Sequence, residues 1–216
     1  MLSIQELSAE IDNVLILQNI SCELEQGSKT ALIGANGAGK STLLLAVAGV
    51  IPPKFGTIDA KNVGMVFQNP DDQLFMPTVQ DDISFGLRNY NVPEEEVSLR
   101  VSEILGKFGI THLRDRLTHR LSGGEKRIAA LAGVLVMRPS VLLLDEPTSF
   151  LDPKSTRVLM ELLKGIDTTM LIATHDLVFA DNMCDSAILL KEGTLYKNGN
   201  CREILSDKDA LAYCGL

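Results

Sequence analysis

Leu121-Ser-Gly-Gly-Glu125 stands shortly before Val141-Leu-Leu-Leu-Asp145-Glu146-Pro147, and Gly34-Ala-Asn-Gly-Ala-Gly-Lys40-Ser41 lies far upstream of both. Together the three decide the fold. The glycine loop follows a short apolar run at 30–33 and opens a helical pattern over 40–48. Gly34, Gly37 and Gly39 let the backbone turn tightly and aim its N–H groups at phosphate oxygens. The helix that follows adds the positive end of its dipole. In that setting Lys40 reaches the outer phosphates, and the Ser41 hydroxyl is suited to ligate Mg²⁺. Further on, four apolar residues at 141–144 form a buried strand that delivers Asp145 and Glu146 to its C-terminal edge, where open α/β sheets bind ligands. Asp145 would hold the magnesium, and Glu146 sits where a base polarises an attacking water. Ser122 and Glu125 ahead of an apolar run also form a capping box, and a capped helix start with two glycines is an anion site.

Outward from these motifs the periodicity outlines an α/β core split by a helical insertion. Alternating stretches near 2–8 and 14–24 suit antiparallel strands. Residues 62–67 form another strand, ending at Gln68, and strands return at 141–144, 170–173 and 187–190. Between 79 and 133 the spacing of Val97, Val101, Ile104, Leu105 and Phe108 is helical. The core is thus expected over about 1–78 and 134–216, with a helical subdomain at about 79–133.

Composition narrows the function. A chain of 216 residues fits one large domain with room for a subdomain. A net charge of -8 argues against general nucleic-acid binding, which leaves a basic footprint. Cys22, Cys184, Cys201 and Cys214 are scattered without a CxxC pair, which favours reduced thiols in a cytosolic protein over disulfides or a metal cluster. The N-terminus has no basic region followed by a long apolar run, so no signal peptide is expected. Apolar runs at 43–51 and 128–137 fall short of the roughly 20 residues that span a bilayer. If the protein serves transport, another chain crosses the membrane.

The order of these motifs resembles the ATPase subunit of ATP-binding-cassette (ABC) systems along nearly the whole chain. That resemblance implies a P-loop NTPase (RecA-like) core with an antiparallel β subdomain, an inserted helical subdomain, and ATP and Mg²⁺ as substrate and cofactor. It implies that Gly34, Ala35, Asn36, Gly37, Ala38, Gly39, Lys40, Ser41 and Thr42 bind the nucleotide. Ser122, Gly123, Gly124 and Glu125 would meet the γ-phosphate held by a second subunit. Gln68 matches the Q-loop glutamine that contacts Mg²⁺ and water, so the metal set is Ser41, Gln68 and Asp145. His175, after Leu171-Ile-Ala-Thr174, matches the switch histidine, which makes Glu146, His175 and Gln68 the catalytic group. Ser149-Phe-Leu-Asp152 matches the D-loop that joins two subunits, with Phe150 bulkier than the small residue common there. Ile11 takes the place of the aromatic residue that stacks on adenine.

Phe67-Gln-Asn-Pro-Asp-Asp-Gln-Leu-Phe75, with Pro77-Thr-Val and Asp82-Ile-Ser-Phe-Gly86, resembles more narrowly the ATPases of energy-coupling-factor (ECF) importers. His119-Arg-Leu-Ser-Gly-Gly-Glu-Lys-Arg127 resembles their cobalt and nickel branch, with biotin the second choice of cargo. The implied partners are a second ATPase subunit, preferably an identical copy, a transmembrane coupling subunit and a substrate-binding membrane subunit, with no nucleic acid. The implied location is the cytoplasmic face of the membrane. A soluble ABC protein of translation or repair is disfavoured, because such proteins usually carry two cassettes or a long coiled-coil insertion.

Overall fold

The computed structural model describes all 216 residues. In chain order its strands are β1 (Leu2–Ile11), β2 (Val14–Leu24), β3 (Lys29–Ile33), β4 (Phe55–Asp59), β5 (Val63–Val66), β6 (Val141–Asp145), β7 (Thr169–Ala173), β8 (Ser186–Lys191) and β9 (Thr194–Asn200). Its helices are α1 (Lys40–Val47), α2 (Val79–Asn89), α3 (Glu94–Lys107), α4 (Gly123–Leu135), α5 (Pro153–Lys164), α6 (Leu177–Met183), α7 (Cys201–Ser206) and α8 (Lys208–Tyr213). The chain divides into two compact units. The first comprises Met1–Met65, Ser140–Pro147 and Asp167–Leu216, and the second Val66–Pro139 and Thr148–Ile166.

In the first unit, uninterrupted apolar runs make the centre of a parallel sheet, because such strands are buried on both faces. The sheet has six strands in the order β5-β6-β7-β3-β8-β9. Strands β6, β7, β3 and β8 run parallel to one another, and β9 pairs antiparallel with β8 at the edge. Every residue of β6 and β7 is buried. A second sheet, β2-β1-β4, is antiparallel. Its first hairpin turns on Asp12 and Asn13, both with positive φ, the geometry that matches the twist of paired strands. Leu2, Ile4, Leu17 and Ile20 from this sheet join Leu32, Leu43, Leu143 and Leu171 in one apolar core. The four cysteines are free and buried. Burial pushes the thiols of Cys22 and Cys201 each up to about 11, and that of Cys184 higher still.

The second unit is helical. Thr78 caps α2 by accepting from the Asp81 N–H, and α3 opens on Glu94, Glu95 and Glu96 and ends on Lys107, charges that complement its dipole. Val97, Val101 and Leu105 form the buried stripe of α3 at helical spacing. The unit is wider than the 79–133 outlined from periodicity. Residues 66–78 join it because the Thr118 hydroxyl donates to the Met76 carbonyl at 2.8 Å and Thr78 pairs with Leu117. Residues 148–166 join it because α5 meets α4 closely: a β-carbon on Gly124 would lie 2.7 Å from Ser155 Oγ. Strands β4 and β9 and helices α7 and α8 were not outlined from the sequence; their exposed, glycine- and polar-rich strands carry little periodic signal. No helix is long and apolar enough to cross a membrane.

Candidate functional site

The glycine loop links β3 to α1 in the first unit. Gly39 is the N-cap of α1 with φ 100°, a left-handed conformation, and a β-carbon there would lie 2.9 Å from Leu17 Cδ2. A β-carbon on Gly34 would lie 2.6 Å from the Leu190 carbonyl oxygen, so that position also admits only glycine. The Ala38 N–H closes the turn onto the Ala35 carbonyl at 3.1 Å. Ala38 is buried, while Asn36 and Gly37 stand exposed at the crest and Ser41 and Thr42 begin the helix. The first turn of α1 has no side-chain cap and no acidic residue, so its N–H groups face outward as anion donors.

Lys40 is buried, and its Nζ donates to the carbonyls of Gly34 at 2.7 Å and Ala35 at 3.2 Å. Burial lowers its pKa, while the carboxylates of Glu146 and Asp145 act in the opposite direction. Its ammonium is therefore set against Asp145, which ends β6, and Glu146, which follows it. Asp145 and Glu146 are each 7% exposed. Glu146 takes φ 45°, yet its N–H still donates to the Ala173 carbonyl at 2.9 Å. A non-glycine residue held in that region stores local strain, as residues at functional sites often do. His175 lies two residues beyond β7, and its Nδ1 lies 2.8 Å from Glu146 Oε2. That oxygen is sealed from solvent and its angle to the ring misses hydrogen-bond geometry, so the pair is a close polar contact and not an aligned bond. Thr174 and Asp176 fix the turn around the histidine: Thr174 Oγ1 accepts from the Asp176 N–H at 3.0 Å, and Asp176 caps α6.

A cleft of about 350 Å³ is lined by Gly34, Ala35, Asn36, His175, Leu177, Gly215 and Leu216. The last three escaped sequence reasoning, because no motif marks a residue that meets the loop from a distant stretch of chain. The oxygens of Asp145 and Ser41 suit Mg²⁺, a hard cation that needs only one or two protein carboxylates beside water and phosphate oxygens. No group of three His, Cys, Asp or Glu side chains that could hold a metal ion gathers anywhere. Ile11 is 39% exposed at the β1–β2 hairpin, paired with Val14, while Ile16 and Leu17 of β2 approach Gly39.

In the second unit Gln68 follows β5 with an exposed side chain. The capping box of α4 is complete: Ser122 Oγ accepts from the Glu125 N–H at 3.4 Å, and the Ser122 N–H donates to Glu125 Oε2 at 2.7 Å. That second bond is the main reason the Glu125 carboxyl titrates below its usual range. Ser122 and Gly123 are exposed, so the helix start faces solvent. Asp152 is the N-cap of α5, accepting from the Lys154 and Ser155 N–H groups at 2.8 and 3.0 Å. Phe150 beside it is 91% exposed at φ 64°.

The family model for ABC transporters matches residues 17–149, which contain the glycine loop, the capped α4, and Asp145 and Glu146. The chain belongs to the ABC transporter ATP-binding family. This ABC ATPase is 39% identical to the energy-coupling factor transporter ATP-binding protein EcfA3 of Clostridium perfringens, over 97% of the chain and 81% of that protein. It is 40% identical to the EcfA protein of Methanosphaera stadtmanae, over 93% of the chain and 79% of that protein. Among solved structures it resembles CbiO1 of Clostridium perfringens, described as part of the ABC transporter complex CbiONQ, at a TM-score of 0.86 and 39% identity, covering 98% of this chain and 93% of the other.

Proposed function

We propose that this ATPase is the ATP-hydrolysing subunit of an ECF-type importer that drives uptake of cobalt or nickel through a separate membrane subunit. The observation that carries the ATP-driven part is the meeting of Lys40, Asp145, Glu146 and His175 around one glycine loop in the first unit. In this reading Ser41 and Asp145 hold Mg²⁺, which neutralises phosphate charge when bound. Lys40 binds the outer phosphates, Glu146 polarises the attacking water, Gln68 contacts Mg²⁺ and that water, and His175 attends the γ-phosphate. Ser122 to Glu125 act on nucleotide held by a second copy, and the complex sits on the cytoplasmic face of the membrane. The names of the relatives support the ECF assembly. The cargo rests on the resemblance of residues 119–127 to the cobalt and nickel branch.

The coupling surface in this reading is Phe75 and Met76. Phe75 is largely exposed and packs edge-on against Phe85 at 4.8 Å, and the N–H groups of Phe75 and Met76 each donate to Asp82 Oδ1 at 3.0 Å. Replacing Phe75 and Met76 with Asp is expected to spare ATP hydrolysis by the isolated subunit. It should abolish co-purification with a membrane chain and stop cobalt or nickel uptake by cells. Intact co-purification would move the docking surface elsewhere, and uptake that never depended on this protein would remove the metal as cargo.

A further inference from the structure

Arg127 is only 2% exposed, the largest fully buried side chain of the molecule, and it carries a charge. A guanidinium is costly inside a protein unless its donors are used. Its Nη1 donates to the Phe67 carbonyl at 2.6 Å and its Nη2 to the Gln68 carbonyl. The planar fork engages two successive carbonyls at once, which an ammonium cannot do in a fixed geometry. Lys126, the residue before it, lies 2.5 Å from Asp71 Oδ1. Two consecutive residues of α4 therefore hold the segment after β5 at two points. That segment is also closed on itself, with the Phe67 N–H donating to Gln73 Oε1 at 3.2 Å and Asn69 capping the turn at Pro70–Asp72. The outcome is a glutamine with a free-standing side chain on a main chain bound to the helix that starts at Ser122.

Packing alone does not call for this arrangement. The buried neighbours of Arg127 along α4, Ala129, Ala130, Leu131 and Ala132, are all apolar, and an apolar residue of similar volume would fill the space without desolvating a cation. What the charged fork adds is direction. We propose that Arg127 is a positioning residue for ATP hydrolysis: it ties the main chain of Gln68 to α4, so the glutamine side chain takes its working direction only while that helix is in place. This rests on Gln68 acting at the nucleotide, as proposed above. The segment and the helix then move as one piece, and a shift of α4 is passed to Gln68 without a separate signal.

The test uses the full chain with Arg127→Met, Arg127→Lys and Asp71→Asn, each alone and combined with Gln68→Ala, and reads kcat, KM for Mg-ATP and thermal midpoint. A positioning role predicts a kcat lower by about tenfold to a hundredfold in Arg127→Met, the scale on which a misplacement of about 1 Å acts. KM should stay within about threefold, since binding by the glycine loop is untouched. Arg127→Lys should recover part of kcat, and Asp71→Asn, which loosens the exposed arm, should show a smaller loss of the same kind. In the Gln68→Ala background Arg127→Met should cost less than about threefold more, because both changes remove one effect. Folded Arg127 variants with normal kcat, or losses that simply multiply in the double variant, overturn the proposal. If Arg127→Met fails to fold, Arg127→Lys and Asp71→Asn decide the matter by the same criteria. A Gln68→Ala enzyme with normal turnover instead removes the role of Gln68 itself, and the tether loses its purpose with it.

Discussion

At the scale of single residues, the proposed function places most of its chemistry on Glu146. It is buried, takes a left-handed backbone, and lies against His175. Glu146→Gln keeps the shape and removes the base. It should bind ATP as the parent does and turn over about a hundredfold or more slowly, within the range that general bases supply. Single-turnover kinetics beside nucleotide binding would check this, and normal turnover would end the assignment. That Lys40, Asp145 and Glu146 come near one another was legible because each sits at a fixed offset from glycines or from an apolar strand. The strain at Glu146 and the fold-back of Lys40 onto Gly34 and Ala35 were not, because φ angles and side-chain rotamers answer to neighbours that sequence spacing does not reveal.

At the scale of elements, α4 shows how one motif serves two purposes. Its capping box satisfies two backbone donors, and the same turn presents Ser122 and Gly123 to solvent. Ser122→Ala should cost about 1 kcal/mol, the usual worth of an N-cap. On a chain of this size that lowers the thermal midpoint by roughly 2–4 °C. Glu125 adds a pH signature. Its folded pKa is depressed, mainly by the Ser122 N–H, so its contribution is complete above the unfolded carboxylate value and is lost as the pH falls through the folded one. The stability gap between the parent and Glu125→Gln, measured by chemical denaturation, should therefore be full at neutral pH and close in acid. A gap that persists at the acid end would mean that Glu125 acts by packing. The capping box was readable because it needs only two residue types three apart. Strands β3, β6 and β7 were readable because continuous apolar runs have one solution in a buried parallel sheet. Strands β4 and β9 were not, since Phe55-Gly-Thr-Ile-Asp59 and Thr194–Asn200 are mostly exposed and take their conformation from the strands they pair with. The reach of the second unit to α5 escaped for a similar reason, because a tertiary approach through Gly124 and Ser155 leaves no periodic trace.

At the scale of the whole molecule, one chain holds one glycine loop, in its first unit, and one Leu-Ser-Gly-Gly-Glu turn, in its second. The turn is a solvent-facing helix start, an arrangement that attracts phosphate. If two copies share their sites, each supplies the loop for one nucleotide and the turn for the other. Lys40→Ala removes a charge-assisted bond worth roughly 1.5–3 kcal/mol to bound phosphate and should cripple the loop. Ser122→Arg should leave the loop able to bind ATP but block the turn with a bulky side chain. Each variant alone is expected to be nearly inactive. In a two-fold dimer, mixing them in equal amounts makes half of the dimers mixed, and each mixed dimer has one site with both lesions and one with neither. Recovery should then approach about a quarter of parental activity if the sites work independently on that symmetric assembly. It should peak at the equal ratio and fall on either side, a dependence that no contamination by parental enzyme reproduces. If activity stays flat at every ratio while size-exclusion chromatography shows mixed dimers, the sites either lie within one chain or must act together. Carrying both substitutions on the same chain and mixing it with the parent separates these cases. Such a mixed dimer has each site damaged once, so shared sites predict inactivity for it, whereas sites complete within one chain leave the parental copy working at full rate.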